Sequence, residues 1–437
     1  MRHFFIKMKT EYIYQLFRES SGISTDSRTI KKNQIFFALW GENFNGNKFA
    51  AEALEKGASW VVIDEDAYET ERTILVDDCL MELHALATHH RKEMKVPLLA
   101  VTGSNGKTTT KDLIALILSK KFKTHSTKGN LNNQIGVPLS ILSAPEGTEI
   151  MVIEMGASHV GEIRTLCLIA KPDYGIITNV SPAHIEGFGT LEAVWKAKTE
   201  LFEYLRKVNG IALYNDKDSV LTEKIFKLVN RAVPFSDPTG IELAVIPEPS
   251  DLTLKLTVKY HNRQYKINTR LFGNYNTENI KAAIATGLFF GVDIEDIVEA
   301  VERYDPGSNR SQIIKTKNNT LVCDSYNANP LSMKLAIESF AHIPAENKTC
   351  ILGDMLELGN KSEEEHKKIH KVLSDNNLRN VILTGPVFSK VSAGFRFRTF
   401  PNVTKLKEFL KSKPIKGHHI LIKGSRGMAL EQVYDLL

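Results

Sequence analysis

The chain has 437 residues, more than one ordinary hydrophobic core holds, so its length sets an expectation of about three domains. With 42% hydrophobic and 24% charged residues and no low-complexity run or internal repeat, it is not an extensively disordered or fibrous chain. The net charge of +5 is mild and its basic residues are dispersed among acidic ones, which favours small anionic substrates over nucleic acid.

No apolar run reaches the roughly 18 residues of a membrane span, and no signal-peptide core stands at the start, so the expectation is a cytoplasmic protein without membrane insertion. Cys79, Cys167, Cys323 and Cys350 are far apart in apolar contexts and read as buried free thiols.

In chain order, Ile35 to Leu39, Trp60 to Ile63 and Thr73 to Val76 read as strands and Phe49 to Lys56 as a helix, together a small α/β domain. A helix from about Leu80 to Lys95 must end before Pro97, which places the first boundary there and gives an N-terminal domain of residues 1–95.

The apolar strand from Leu98 then runs into Gly103-Ser104-Asn105-Gly106-Lys107-Thr108-Thr109. Glycines let backbone N–H groups approach an anion, the following helix points its positive end at it, and Lys107 reaches the terminal phosphates while Thr108 is placed for Mg²⁺. An ordinary Walker A loop has a glycine where this chain has Val101, so a generic P-loop kinase or GTPase is disfavoured. Buried runs at Ile150 to Glu154 and Tyr174 to Asn179 extend a parallel, doubly wound sheet.

Glu154 closes its run and reads as a Mg²⁺ ligand, the alternative being a carboxylate facing solvent. The amide-rich Gly129-Asn130-Leu131-Asn132-Asn133 loop suits an uncharged or acyl-phosphate ligand, or is an ordinary turn. His184, in a turn just past a strand, is either a ligand to a second metal or phosphate, or structural. From Thr190, Leu191, Val194, Trp195, Leu201, Phe202 and Leu205 define an apolar helix face with Lys198 in its middle. Burial lowers a lysine's pKa and leaves an amine able to take up CO₂ as a carbamate; a stem with its head in water is the alternative.

Tyr304 to Ser308 is a turn-rich linker that ends a central domain of residues 96–307. In the C-terminal domain, 308–437, strands ending at Asp324, Gly353, Gly385 and Lys423 alternate with helices, a Rossmann-like unit. Its polar loops Asp324-Ser-Tyr-Asn327-Ala-Asn329-Pro330, Gly353 to Gly359 and Lys423-Gly-Ser-Arg426 share one sheet edge and form a substrate surface, or merely cap turns.

Taken together, the loop from Gly103 to Thr109, the Gly-Asn-Leu-Asn-Asn run, Glu154-Met-Gly-Ala and the segment from Asn179 to Lys198 resemble the ATP-dependent Mur ligases of peptidoglycan synthesis. The three C-terminal loops resemble the branch that adds D-alanyl-D-alanine. The resemblance implies three α/β domains and phosphoryl transfer from ATP to the terminal carboxylate of UDP-N-acetylmuramoyl-tripeptide. D-Alanyl-D-alanine then displaces phosphate from the acyl phosphate. It implies catalytic roles for Lys107, Glu154, His184 and Lys198, two Mg²⁺ held by Thr108, Glu154, His184 and a carbamylated Lys198, and nucleotide contacts from Asn309, Arg310 and Asp324 besides Gly103, Ser104, Asn105, Gly106, Lys107, Thr108 and Thr109. Substrate contacts fall to Ser27, Arg28, Asn132, Asn133, Asn327, Asn329 and Lys423, in a chain expected to act as a monomer. Two positions depart from the family pattern: Asn45-Gly46-Asn47 replaces Asp-Gly-His, and Tyr275 replaces a histidine. A sister ligase that adds a single amino acid would keep the phosphate loop and Lys198 but lack the C-terminal loops; a regulatory nucleotide-binding protein would have lost the metal and phosphate ligands first.

Overall fold

The computed structural model describes residues 2–437 apart from 183, 184, 250, 251 and 308, with backbone alone for residues 2–8 and 185. Three sheets with helices packed on them form the body of the protein, and a small antiparallel sheet is added to the middle one.

The N-terminal sheet is parallel, in the order Ile23–Ser24, Ile35–Phe37, Trp60–Ile63, Thr73–Leu75. Its long helix, Cys79–Met94, starts at an Asp78 cap and ends at Lys95 in a left-handed conformation, before the proline that forbids continuation. That helix is shared property. Leu83, Leu86 and Ala87 sit in one core with Leu98, Ile153 and Leu166 of the following unit. Buried Arg91 donates to Ala170 O at 2.9 Å and to Asp173 at 2.9 Å, and His84 Nε2 lies 2.7 Å from Gln134 O.

The central sheet has six parallel strands, in the order Arg231–Pro234, Ile211–Tyr214, Tyr174–Ile177, Leu98–Thr102, Ile150–Glu154, Thr124–Ser126. All five residues of Leu98–Thr102 and of Ile150–Glu154 are buried, as a sheet covered on both faces requires. Register decides the site: Val101 is opposite Glu154 and Ile177 opposite Thr102, so three strands end together where the glycine loop begins. An antiparallel sheet of Leu243–Glu248, Thr253–Tyr260 and Arg263–Phe272 follows, an element the sequence reading did not anticipate.

The C-terminal sheet runs Gln312–Lys315, Thr320–Asp324, His419–Lys423, Lys348–Gly353, Val381–Thr384, Arg398–Phe400. It is parallel except for its first strand, which pairs antiparallel with Thr320–Asp324. Asp324 pairs with Lys423, and Lys423 with Leu352, so the polar loops do leave one edge of the sheet. All four cysteines are buried free thiols. Among the described residues no helix is long and apolar enough to cross a membrane.

Candidate active site

Where the central and C-terminal sheet edges face each other lies a cleft of about 680 Å³. Its walls are the glycine loop from Ser104 to Thr109, Glu154, the Asn130–Gln134 loop, and the C-terminal loops around Asp324–Ser332, Leu356–Leu358 and Lys423–Gly427.

The glycine loop is braced from below. Ser104 N donates to Asn179 O at 2.9 Å, Asn105 N to Asn179 Oδ1 at 3.1 Å, and Thr178 Oγ1 to Asn105 O at 2.6 Å. Gly106 has φ +78, and a Cβ there would lie 2.2 Å from Asn279 Oδ1, so both conformation and space demand glycine. The helix Lys107–Leu118 starts immediately after it, aiming its N–H groups into the cleft. Lys107 Nζ folds back on the carbonyls of Gly103 (2.8 Å) and Ser104 (3.1 Å). Burial lowers its pKa and the neighbouring Glu154 carboxylate opposes the drop. A cation deep among N–H donors is an anion receptor, and its chemistry suits nucleotide phosphates.

Glu154 is 1% exposed. Its Oε1 accepts from Asn132 Nδ2 at 2.7 Å, while Oε2 is buried with no hydrogen-bond partner. An orphaned carboxylate oxygen beside a phosphate receptor and the Thr108 side chain fits a hard divalent cation. Among the described residues no group of three or more His, Cys, Asp or Glu stands together to hold a metal. His184 lies outside the described residues.

Lys198 is 1% exposed on the helix Leu191–Val208. The apolar face of that helix is narrower than the sequence implies, because Leu191 is 51% exposed in the first turn, but Val194, Leu201, Phe202 and Leu205 are buried around the lysine. Its Nζ donates to Ala157 O at 3.2 Å and stands 5.4 Å from the Phe188 ring centre. Burial, reinforced by Lys107, lowers its pKa to about 7. Buried Glu200, two residues on, is committed elsewhere, accepting from Gly161 N at 2.7 Å and Arg164 N at 3.0 Å at the start of the helix Glu162–Ala170.

Asn133 serves its own loop, its Oδ1 accepting from Ile135 N (3.1 Å) and Gly136 N (2.9 Å). On the C-terminal wall Asp324 Oδ1 accepts from Ser311 N at 3.0 Å, and its Oδ2 from Lys423 Nζ at 2.6 Å. Arg310 stacks 3.5 Å from the Tyr326 ring centre, with its Nε buried and unpartnered. Asn309, in a left-handed conformation, accepts from Tyr326 N. Asn329 caps the helix Pro330–Ala341 through Ser332 N and donates to Asn105 Oδ1 at 2.7 Å, joining the C-terminal domain to the glycine loop. Asn327 lines the cleft, its carbonyl accepting from Lys423 Nζ at 3.2 Å.

Gly103, Lys198 and Asn309 stand behind the cleft lining, and Ser27 and Arg28 lie in the N-terminal unit away from it. Ser27 is buried and Arg28 exposed in the N-terminal unit, where Arg28 is bidentate to Asp26 and holds that carboxyl's pKa down to about 2. Tyr275 is at the cleft, its hydroxyl 2.8 Å from Ser311 Oγ. Asn276 and Asn279 were missed by the sequence reading. Asn276 donates to Phe272 O and accepts from Asn279, which in turn accepts from Thr110, tying the helix Asn276–Phe289 to the glycine loop. A pair of amides three apart in an Ala- and Ile-rich helix was the available signal.

Comparison with known proteins agrees along the whole chain. Residues 19–91 match the family described as "Mur ligase family, catalytic domain", 101–287 "Mur ligase middle domain" and 309–426 "Mur ligase, glutamate ligase domain". The UDP-N-acetylmuramoyl-tripeptide--D-alanyl-D-alanine ligase of Bacillus subtilis (strain 168) is 35% identical over 424 residues, covering 94% of this chain and 92% of that one. Among solved structures, MurF from Acinetobacter baumannii superposes with a TM-score of 0.85 at 27% identity over 97% of both chains. MurF ligase from Thermotoga maritima, in complex with ADP, gives 0.83 at 28% identity over 96% of this chain and 97% of that one. With all three family domains matched in order and a relative 35% identical over 94% of this chain, the protein belongs to the Mur ligase family.

Proposed function

We propose that the chain is the ligase that joins D-alanyl-D-alanine to UDP-N-acetylmuramoyl-tripeptide at the expense of ATP, acting as a cytoplasmic monomer whose units divide at residues 95 and 307. The observation that carries this reading is the single cleft bounded on one side by the phosphate loop and Glu154 and on the other by the three C-terminal loops. A carboxylate activated on the first wall is thereby presented to an amine held on the second.

In the reaction a tripeptide carboxylate oxygen attacks the γ-phosphorus, ADP leaves, and an acyl phosphate forms. The amine then attacks the acyl carbon, the C–O bond to phosphate breaks, and one amine proton is released. The loop N–H groups and Lys107 orient the phosphates and offset the charge that spreads over them. Thr108 and Glu154 would hold Mg²⁺, which neutralises phosphate charge when bound. Asn132 keeps Glu154 oriented. Lys198, whose pKa near 7 leaves much of it as free amine at neutral pH, would add CO₂ with loss of one proton to give a carbamate, an anionic oxygen ligand for a second Mg²⁺. By resemblance His184 joins that second site. The link between Asn105 and Asn329 joins the two walls.

The test is phosphate release from ATP with each substrate omitted in turn. Release that requires both the tripeptide and the dipeptide supports the reading. Release with a shorter peptide and a single amino acid assigns the chain to a sister ligase, and nucleotide binding without release makes it a regulatory protein.

A further inference from the structure

Of the four basic side chains that line the cleft, Arg426 is the exposed one. Of the basic side chains lining the cleft, Lys107 is folded onto the glycine loop, Arg310 is stacked on Tyr326 close enough to depress the pKa of Lys107, and Lys423 is neutralised by Asp324 at 2.6 Å. Arg426 differs. It is exposed, forms no ion pair among the described residues, and its contacts are with Tyr326, Nη1 donating to the hydroxyl at 3.5 Å.

Beside it lies an apolar side chain left open. Within the Gly353 to Gly359 loop, Met355 and Leu358 are 1% and 2% exposed, whereas Leu356 is 44% exposed and lines the cleft. Leu356 Cδ1 presses on the backbone next to Arg426: a Cβ built at Gly427 would lie 2.9 Å from it. The two side chains are held in register by the loops beneath them. Leu356 N donates to Ser425 Oγ at 2.9 Å, Ser425 N to Asp354 O at 3.1 Å, and Met355 N to His366 Nε2 at 3.0 Å. The Asp354 carboxylate, fully buried, accepts from Val387 N at 2.8 Å and Phe388 N at 2.9 Å. Leu331 and Leu335 of the helix Pro330–Ala341 line the same wall.

We propose that Arg426 and Leu356 form the recognition pocket for the amine substrate, Arg426 binding its terminal carboxylate and Leu356 contacting the methyl group of its last residue. This rests on the ligase reading above and adds to it which end of the dipeptide is read, and by what. An unpaired guanidinium next to a fixed apolar surface selects a carboxylate flanked by a small alkyl group, and it leaves the free amine directed away, toward the phosphate wall. A single exposed leucine is unremarkable on a convex surface; it is its seat in a polar cleft against an unpaired arginine that marks a site.

The experiment compares D-alanyl-D-alanine with its C-terminal amide and with D-alanyl-glycine as amine donors, in the full chain with ATP and tripeptide. The wild type should prefer acid over amide by about 10–100-fold in kcat/KM, the range for a charge-assisted hydrogen bond, and D-alanine over glycine by about fourfold for one methyl group against a half-open surface. Arg426→Gln should raise the dipeptide KM and bring the acid-to-amide ratio close to one, with the KM values for ATP and tripeptide unchanged; Arg426→Lys should restore part of the ratio. Leu356→Ala should bring the D-alanine-to-glycine ratio close to one. An active wild type whose Arg426→Gln variant keeps its acid-to-amide ratio overturns the pocket alone. A wild type inactive with dipeptide and tripeptide together overturns the ligase reading and the pocket with it.

Discussion

Replacing Lys198 by methionine exchanges a buried ammonium for an uncharged side chain of similar length, and its effect on stability follows from the environment of that lysine. The amine titrates near 10.5 in the unfolded chain and at about 7 in the fold. At about 1.4 kcal/mol per pH unit, the difference is a ceiling of about 5 kcal/mol against the fold. The sign follows from which state keeps the proton. Below pH 7 both states are protonated and the whole cost is present; between pH 7 and 10.5 the folded chain gives up its proton first and the cost fades. Methionine also forfeits the hydrogen bond to Ala157 O and the contact with Phe188, together about 2 kcal/mol. The net gain for Lys198→Met at pH 6 is therefore about 3 kcal/mol, which is about 6–12 °C in Tm for a unit of the central domain's size. Scanning calorimetry in CO₂-free buffer at pH 6 and pH 10 measures it. The variant should melt higher at pH 6, lose that advantage at pH 10, and show no ligase turnover at either. A difference that does not change with pH, or a wild type more stable at pH 6, would refute the buried-ammonium argument.

Other substitutions probe the cleft piece by piece. Glu154→Gln keeps an oxygen for Asn132 but removes the charge at the orphaned Oε2; Mg²⁺-dependent phosphate release should fall at least about 100-fold with an unchanged circular dichroism spectrum. Gly106→Ala places a methyl group 2.2 Å from Asn279 Oδ1 at φ +78, so calorimetric nucleotide binding should be lost together with about 1–3 kcal/mol of stability. Asn329→Ala removes both a helix cap, at about 1 kcal/mol, and the bond to Asn105; kcat should drop about tenfold while the nucleotide Kd stays within a factor of two or so.

Elements whose chemistry is local could be read from the sequence, and those made by distant pairing could not. The phosphate loop was legible because an apolar strand, two glycines and Lys-Thr are contiguous, and the structure adds only the brace from Thr178 and Asn179. Lys198 was legible as a misfit in an apolar stripe, and burial to 1% exposure resolves the choice between a buried amine and a solvated stem. Glu154 emerged as buried instead of solvent-facing because the register with Val101 sets it inside the sheet edge. The antiparallel sheet from Leu243 to Phe272 went unread although Lys255, Lys259, Lys266 and Arg270 alternate with buried Leu254, Leu256, Val258 and Ile267 in the period of a half-buried strand; the pairing of its three strands is what no local pattern encodes. The exposure of Leu356 against Gly427 depends on two loops some 70 residues apart in the chain, Leu356 N bonding Ser425 Oγ with a separation of 69, and no local pattern encodes it.

Oxygen transfer tests the central claim, that one cleft activates a carboxylate as an acyl phosphate and delivers it to an amine. Tripeptide labelled with ¹⁸O in both terminal carboxylate oxygens is turned over with ATP, Mg²⁺ and D-alanyl-D-alanine, and the released phosphate and the peptide are weighed by mass spectrometry. One ¹⁸O should appear in each phosphate and one should remain in the new amide carbonyl, because the oxygen that attacks phosphorus departs with it. Phosphate free of label, with ATP consumed, would contradict the account.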